Sequence, residues 1–473
     1  MGHGAIQYRR CLHEVSSLSR PNWLPRLKPE AGPIYAQIVD AIDRAVAAGT
    51  LREGDRLPPQ RSLAETLGVD LTTVTRAYAE ARRRGLLDAV TGRGSFIAPR
   101  KDPAAPPIDL GMNIPPAPRG MRLGELIGKG VAEITARQNV DLLMSYHPGA
   151  GSSAERAAAD AWLAPWLGMA DADRILVAAG AQAAMAAIAT ALAGRGDALL
   201  CEPMVYPGAL SIARQFGMKV VAVPVDGDGM LPDALAEACR ACRPRLLYLN
   251  PTIGNPTTLT MPERRRREIA SVARAHGLAI LEDDPYSPLA ADAPPTIASL
   301  APELVWYVHT LSKCLTPGLR VAYVVAPSVQ ARGELVQALR AVSLMAAPLM
   351  TALLGGWIRD GVATALLEGV REEAAARQTL ARAALPSSMR AHPNGLHVWL
   401  PLPAGWDRYR LAERARTQGL AVIPSDAFSA GGRPVEAVRI SLGAVPERAR
   451  LGAALETLAE ILGEERGALH DVV

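Results

Sequence analysis

Val308-His309-Thr310-Leu311-Ser312-Lys313-Cys314-Leu315-Thr316-Pro317-Gly318-Leu319-Arg320 is the stretch that decides the fold. An apolar, β-forming run, Leu304 to Val308, leads into it, and Pro317-Gly318 makes a turn before Arg320. The lysine amine is suited to condense with an aldehyde as a Schiff base. The arginine fork is suited to grip a phosphate dianion through paired hydrogen bonds. A strand that delivers both meets the needs of a pyridoxal phosphate site.

The residues on either side agree. Short apolar runs at Ile175–Ala178, Ala198–Cys201, Val220–Val223, Leu246–Leu249, Ala279–Leu281, Leu304–Val308 and Val321–Val325 alternate with helical patterns. Seven such strands with helices between them predict a largely parallel α/β sheet. The pattern changes near Met345 to Gly356. Strands near Leu396–Leu400 and Val438–Leu442 with flanking helices then predict a smaller α+β part. Ile175 to Gly194 holds no charged residue, but Gly180 breaks it, so a buried strand, loop and helix are expected there instead of a membrane span.

Several loops at strand ends add to the lysine. Gly180-Ala181-Gln182 follows a strand and opens a helix, where backbone N–H groups and the helix dipole favour phosphate. Tyr206 lies on the loop after the next strand and is placed to stack on a pyridine ring. Asn255, in Asn250-Pro251-Thr252-Ile253-Gly254-Asn255-Pro256-Thr257, is placed to bond a ring hydroxyl. Glu282-Asp283-Asp284-Pro285-Tyr286 ends the Ala279–Leu281 strand, and a carboxylate there suits a protonated pyridine nitrogen. Singly these signals are weak, since Asn-Pro-Thr is often a turn and paired Asp often a helix cap. Their order after successive strands makes the set specific.

The first hundred residues read differently. They carry 15 Lys and Arg against 10 Asp and Glu, whereas the remainder carries 36 against 37. The positive excess therefore sits where a nucleic-acid-facing segment would have it. Residues 1–31, with Pro21, Pro25 and Pro29, read as an arm docked through Trp23 and Leu24. Ile34, Ile38, Ile42 and Val46 predict a helix that Gly49 stops. A short helix over Ser62 to Leu67 follows, then the Gly68 turn. A helix capped by Asp70 or Thr72 comes next, burying Val74, Ala77, Tyr78 and Ala81. Leu86 to Ala98 reads as a hairpin turning at Thr91-Gly92-Arg93-Gly94. This is the winged-helix plan over residues 32–99, and it predicts a double-stranded DNA partner. Thr72, Thr73, Thr75 and Arg76 would face the major groove. Arg61, just ahead of the first helix of the pair, would hold a phosphate, and Arg93 would reach the backbone or minor groove. Arg82-Arg83-Arg84 reads first as a solvated helix end. Residues 100–107 form a Pro-rich linker.

Composition bounds the rest. Apolar residues at 49% and charged ones at 21% exclude a disordered chain. Five scattered cysteines argue for a reducing cytoplasm. Cys239 and Cys242 lack the further ligands of a zinc site, so no metal is expected. Arg9, Arg10 and His13 interrupt the N-terminus with no apolar core after them, so neither a leader nor a membrane anchor is expected.

Two resemblances extend this reading. Pro33-Ile34-Tyr35-x-x-Ile38, Gly54-x-x-Leu57-Pro58, Arg61-x-Leu63-Ala64 and Gly68-Val69-x-x-x-Thr73-Val74-x-x-Ala77-Tyr78 resemble the GntR family of winged-helix regulators. Asp70-Leu71 stands where that family often has Ser-Arg, so operator sequence does not carry over. The strand-end motifs resemble fold-type I pyridoxal phosphate enzymes of the aspartate aminotransferase class over about residues 108–465, with a large part at about 108–345 and a small part at about 346–473. That resemblance implies Lys313 as the Schiff-base lysine, with Arg320, Thr310 and the Gly180, Ala181 and Gln182 amides on phosphate. It also implies Asp283 on the pyridine nitrogen and Tyr286 and Asn255 on the ring oxygen. Arg439, in Val438-Arg439-Ile440-Ser441-Leu442, would take a substrate α-carboxylate. Thr258 departs from the family's glycine and implies a small change in that loop. The two modules in tandem resemble the MocR/PdxR regulators, which implies a sensor of the cofactor or an amino compound, and head-to-tail dimers. A working aminotransferase with a DNA-binding head, a body that only dimerises the heads, and a winged helix used for protein contact are the alternatives.

Overall fold

The computed structural model describes residues 23–25, 27, 32–52, 54–90, 94–97, 107–147, 149, 151–168 and 171–468. All of the expected linker at 100–107 except Pro107, and most of the expected arm, lie outside them. Two compact units part between Pro106 and Pro107.

In the first unit, Pro33 precedes the helix Ile34–Ala47, whose Ile38, Val39, Ile42 and Ala45 are buried. The helix Gln60–Leu67 begins directly after Pro59, two residues earlier than the apolar spacing suggests. Arg61 is therefore the second residue of that helix and does not precede it. Gly68 takes φ +65, which lets the chain turn sharply into the helix Leu71–Arg83. Asp70 is the cap, and its carboxylate accepts from Thr72 N at 2.7 Å. The Tyr78 hydroxyl donates to Pro58 O at 2.7 Å, so its ring packs inside while its polar tip stays bonded. Leu87–Val90 and Gly94–Ile97 pair antiparallel as the wing. Trp23 is buried in this core, but Leu24 is exposed, so of the two expected anchors only the tryptophan is inserted.

The second unit is built on a seven-stranded sheet. Its order is Ile175–Ala178, Ala322–Val325, Val305–Thr310, Ala279–Asp283, Leu246–Leu249, Ala198–Cys201, Lys219–Ala222. Four of the pairings are parallel, and Ala322–Val325 runs antiparallel to both its neighbours. Two differences from the apolar-run reading bear on function. The Ala279 strand extends through Glu282 and Asp283, and the Val305 strand runs on through His309 and Thr310. These polar residues are buried, so the strands continue where hydrophobicity stops.

Apolar clusters cover both faces of the sheet. The charge-free stretch is the strand Ile175–Ala178 and the helix Ala181–Leu192. No described helix is long and apolar enough to cross a membrane. A further core surrounds a small antiparallel sheet in which Ala437–Ser441 lies between His397–Pro401 and Ile423–Pro424. The cores interleave along the chain. Leu353, Leu354, Trp357 and Leu366 pack in the cluster of the large sheet, whereas Leu110 belongs with the small one. Ile108–Asp109 pairs with Leu420–Ala421, so the body's first strand is part of its smaller core.

Candidate cofactor site

The Lys313 amine is the centre of the site. Its Nζ donates to the carbonyl oxygen of Asn113. Burial depresses its pKa from the usual lysine range to about 8, and the charges of Arg439 and Arg320 act with burial, while Asp283 opposes them. An amine so placed is neutral, and hence nucleophilic, at a far lower pH than a surface lysine.

Asp283 ends its strand in a buried position and accepts from the Tyr248 hydroxyl at 2.8 Å. Burial raises its pKa to about 7, with Tyr248 and Lys313 pulling the other way. A cation arriving beside it, such as a protonated ring nitrogen, would restore its charge. Asn250 holds the neighbouring loop in place. Its Nδ2 donates to Asp283 O at 2.6 Å, and its Oδ1 accepts from Asn255 N at 2.8 Å.

Arg439 lies on the small sheet. Its guanidinium donates to Asn255 Oδ1 at 2.8 Å and to Gly111 O, and it stacks 4.8 Å from the Phe428 ring centroid. Its buried Nε has no partner, so a donor remains for an incoming anion. Tyr286 is buried, and its hydroxyl accepts from Asn113 Nδ2 at 2.8 Å.

The phosphate end is equally defined. Gly180 takes φ +90 and precedes the helix Ala181–Leu192. A Cβ at Gly180 would lie 2.7 Å from Arg320 Nη2, so glycine is what admits that guanidinium over the helix start. Thr310 Oγ1 bonds Ser312 Oγ at 3.0 Å at the end of the adjoining strand. Gln182 Nε2 donates to Gly208 O at 3.0 Å. The Tyr206 hydroxyl lies 3.5 Å from Gln182 Oε1, and the charges of Asp283, Arg320 and Arg439 act on it. A Cβ at Gly208 would come within 2.2 Å of its ring.

These residues fit pyridoxal phosphate. An amine, a buried carboxylate, a phenol and a glycine-lined anion cradle converge, and Asn113 Oδ1 and Arg439 Nε are left without partners. Thr258 takes φ +62, the region that favours glycine, so threonine there costs about 1 kcal/mol.

Asn113, Tyr248, Asn250 and His397 were not singled out in the sequence. Tyr248 and His397 were each visible as a lone polar tip inside an apolar strand. Asn113, in Gly111-Met112-Asn113-Ile114, carries no spacing signal.

In the first unit, Thr72, Thr73, Thr75 and Arg76 share the helix Leu71–Arg83. Thr72 Oγ1 bonds Asp70 Oδ1 and Thr75 Oγ1 donates to Gln60 Oε1 at 2.9 Å. Arg76 is exposed and stacks 4.1 Å over Tyr35. Arg83 and Arg84 pair with Glu80, in keeping with a solvated helix end. Arg93 lies outside the described residues.

The family model for aminotransferase class I and II matches residues 108–458. The chain belongs to that family. Residues 34–97 match the family of bacterial regulatory proteins named for gntR, so this class I and II aminotransferase-type body carries a GntR helix-turn-helix head. The uncharacterized HTH-type transcriptional regulator YdeF of Bacillus subtilis (strain 168) is 29% identical, over 94% of this chain and 97% of its own. The probable rhizopine catabolism regulatory protein MocR of Rhizobium meliloti is 28% identical over 64% of this chain and 67% of its own. Crystalline LysN, the α-aminoadipate aminotransferase of Thermus thermophilus complexed with N-(5'-phosphopyridoxyl)-L-leucine, matches with a TM-score of 0.68. It is 28% identical and covers 77% of this chain and 94% of that one. The protein is thus a GntR/MocR-type transcriptional regulator with an aminotransferase-like domain.

Proposed function

We propose that this regulator holds pyridoxal phosphate on Lys313 and senses the cofactor itself or an amino compound that competes for it. The observation that carries the reading is the half-buried Lys313 amine, bonded to the Asn113 carbonyl and acted on by the charges of Asp283, Arg320 and Arg439. When bound, the cofactor would supply an aldehyde that exchanges between amines and a pyridine able to draw electrons. Asp283 would hold the ring nitrogen, and Tyr286 and Asn255 the ring oxygen. Tyr206 would lie against the ring. Arg320, Thr310 and the amides at Gly180, Ala181 and Gln182 would hold the phosphate. Arg439 would orient the carboxylate of an amine ligand, placing its amino group where the Lys313 amine stands. The family resemblance adds a cytoplasmic head-to-tail homodimer, in which ligand exchange shifts the two DNA-reading heads and so changes their spacing on an operator.

The deciding experiment titrates the cofactor-loaded protein with a panel of amino acids, following its visible spectrum and assaying keto acid in the same tubes. A spectral change without keto acid marks a sensor. Steady production of keto acid marks an aminotransferase that also binds DNA, the reading favoured next because its lysine, aspartate and two arginines are all present.

Two further results are expected. The neutral fraction of Lys313 grows as pH rises through about 8, so the rate of cofactor loading should climb between about pH 7 and 9 and then level off. Stopped-flow absorbance measures it, and a flat profile would remove Lys313 as the reacting group. Arg76→Ala should weaken operator binding by about 1–3 kcal/mol if the side chain leaves Tyr35 to read a base edge. Unchanged affinity in a gel-shift titration would take Arg76 out of the interface.

A further inference from the structure

We infer that Asn113 and His397 are positioning residues, a two-step relay that turns the Tyr286 phenol into a committed donor toward the cofactor's ring oxygen. This rests on the reading that pyridoxal phosphate sits on Lys313. The geometry is a chain of buried polar atoms. Asn113 Nδ2 lies 2.8 Å from the Tyr286 hydroxyl and 3.3 Å from His397 Nδ1. Asn113 is 5% exposed, Tyr286 1% and His397 not at all. The Asn113 backbone carbonyl is also the acceptor of the Lys313 amine, so one residue touches both the lysine and the phenol.

Proton counting gives the arrangement its sense. An amide nitrogen has two hydrogens, one for Tyr286 and one for His397. His397 must then be neutral and accept at Nδ1, with its own proton on Nε2. Its surroundings favour the neutral ring. Burial, then Arg439 and Lys313, push the imidazolium form down to about 3, and the carbonyls of Gly254 and Pro256 face the ring. Nε2 has no partner at hydrogen-bonding distance, and neither does Asn113 Oδ1. If the amide were turned over, Oδ1 would draw the phenol's hydrogen to itself. By accepting at Nδ1, His397 selects the orientation in which Tyr286 receives a hydrogen bond and keeps its own proton to give. A phenol that accepts one bond donates the next more strongly.

The consequence is spectroscopic. A strong donor on the ring oxygen disperses its negative charge, and the nitrogen shared with Lys313 then holds its proton less tightly. That nitrogen also faces Asp283, Arg320 and Arg439, with Tyr206, Tyr248 and Tyr286 around the ring site. Asn113→Ala and His397→Leu leave all of these side chains in place and act on Tyr286 through its bond to Asn113.

The test is a pH titration of the visible band in the full chain loaded with pyridoxal phosphate. Asn113→Ala and His397→Leu should each move the midpoint upward by about half a unit or more. His397→Gln, whose side-chain oxygen accepts the same hydrogen, should return it toward wild type. In the background of Tyr286→Phe, Asn113→Ala should add no further shift, because the relay acts only through that hydroxyl. Midpoints equal to wild type in Asn113→Ala and His397→Leu overturn the inference, as does a shift that persists undiminished on Tyr286→Phe. Should His397→Leu fail to fold, Asn113→Ala and the double variant decide alone. A wild-type protein that shows no Lys313-dependent band sinks the cofactor reading itself, which is a separate and recognisable failure.

Discussion

Lys313→Ala should abolish the lysine-dependent visible band of the protein mixed with pyridoxal phosphate and leave DNA affinity within about 0.5 kcal/mol of wild type. Among the described residues of the site, the Lys313 amine is the one suited to form a covalent link to an aldehyde. Its neighbours Asp283, Tyr286 and Arg320 remain to hold the cofactor by hydrogen bonds and charge. The variant should therefore bind the cofactor weakly and reversibly, with the spectrum of the free aldehyde. Absorbance spectra after borohydride reduction and dialysis measure the difference. Retention of a reduced, protein-bound chromophore in Lys313→Ala would show that another amine is the anchor.

Arg266→Met should lower the stability of the body by about 3 kcal/mol or more. Arg266 is fully buried in the helix Glu263–His276. Its guanidinium donates to Met261 O at 2.8 Å, to Pro251 O and Thr252 Oγ1 at 3.0 Å, and to Pro295 O at 3.2 Å. It also faces the buried carboxylates of Glu282 and Asp284. Methionine fills much of the volume but strands those acceptors. Because the bonds clamp both ends of the loop that carries Asn250 and Asn255, the same change should weaken cofactor retention. Urea unfolding followed by tryptophan fluorescence measures the first effect. A midpoint equal to wild type would mean that the loop holds its shape without the arginine.

Much of this was legible in the sequence because the relevant signals are local. Turn residues, caps and apolar runs marked the winged helix and all seven strands of the large sheet. Lys313 and Asn255 lie on the loops after their strands and Asp283 at the end of its own, and the structure brings them into one site. The strand ends were harder. Glu282, Asp283, His309 and Thr310 continue their strands as polar residues, satisfied by partners distant in sequence, such as Tyr248 for Asp283 and Trp162 for His309. Hydrophobic patterning has no means of seeing such partners. Asn113 was illegible for the same reason. It meets Tyr286 and His397 across separations of 173 and 284 residues. The interleaving of the cores is likewise a property of packing, and no single segment announces it.

The pairing of Ile108–Asp109 with Leu420–Ala421 sits only a few residues from the candidate cofactor site. The residues that follow this strand are held by the site. Gly111 O accepts from Arg439 and Ser441, and Asn113 O accepts from Lys313. An occupant that took the lysine amine, or turned the arginine fork toward a carboxylate, would withdraw those bonds. In the other direction Ile108 and Pro107 begin the second unit, which parts from the first between Pro106 and Pro107. A change at the site would therefore reach Ile108, at the start of the body, within a few residues.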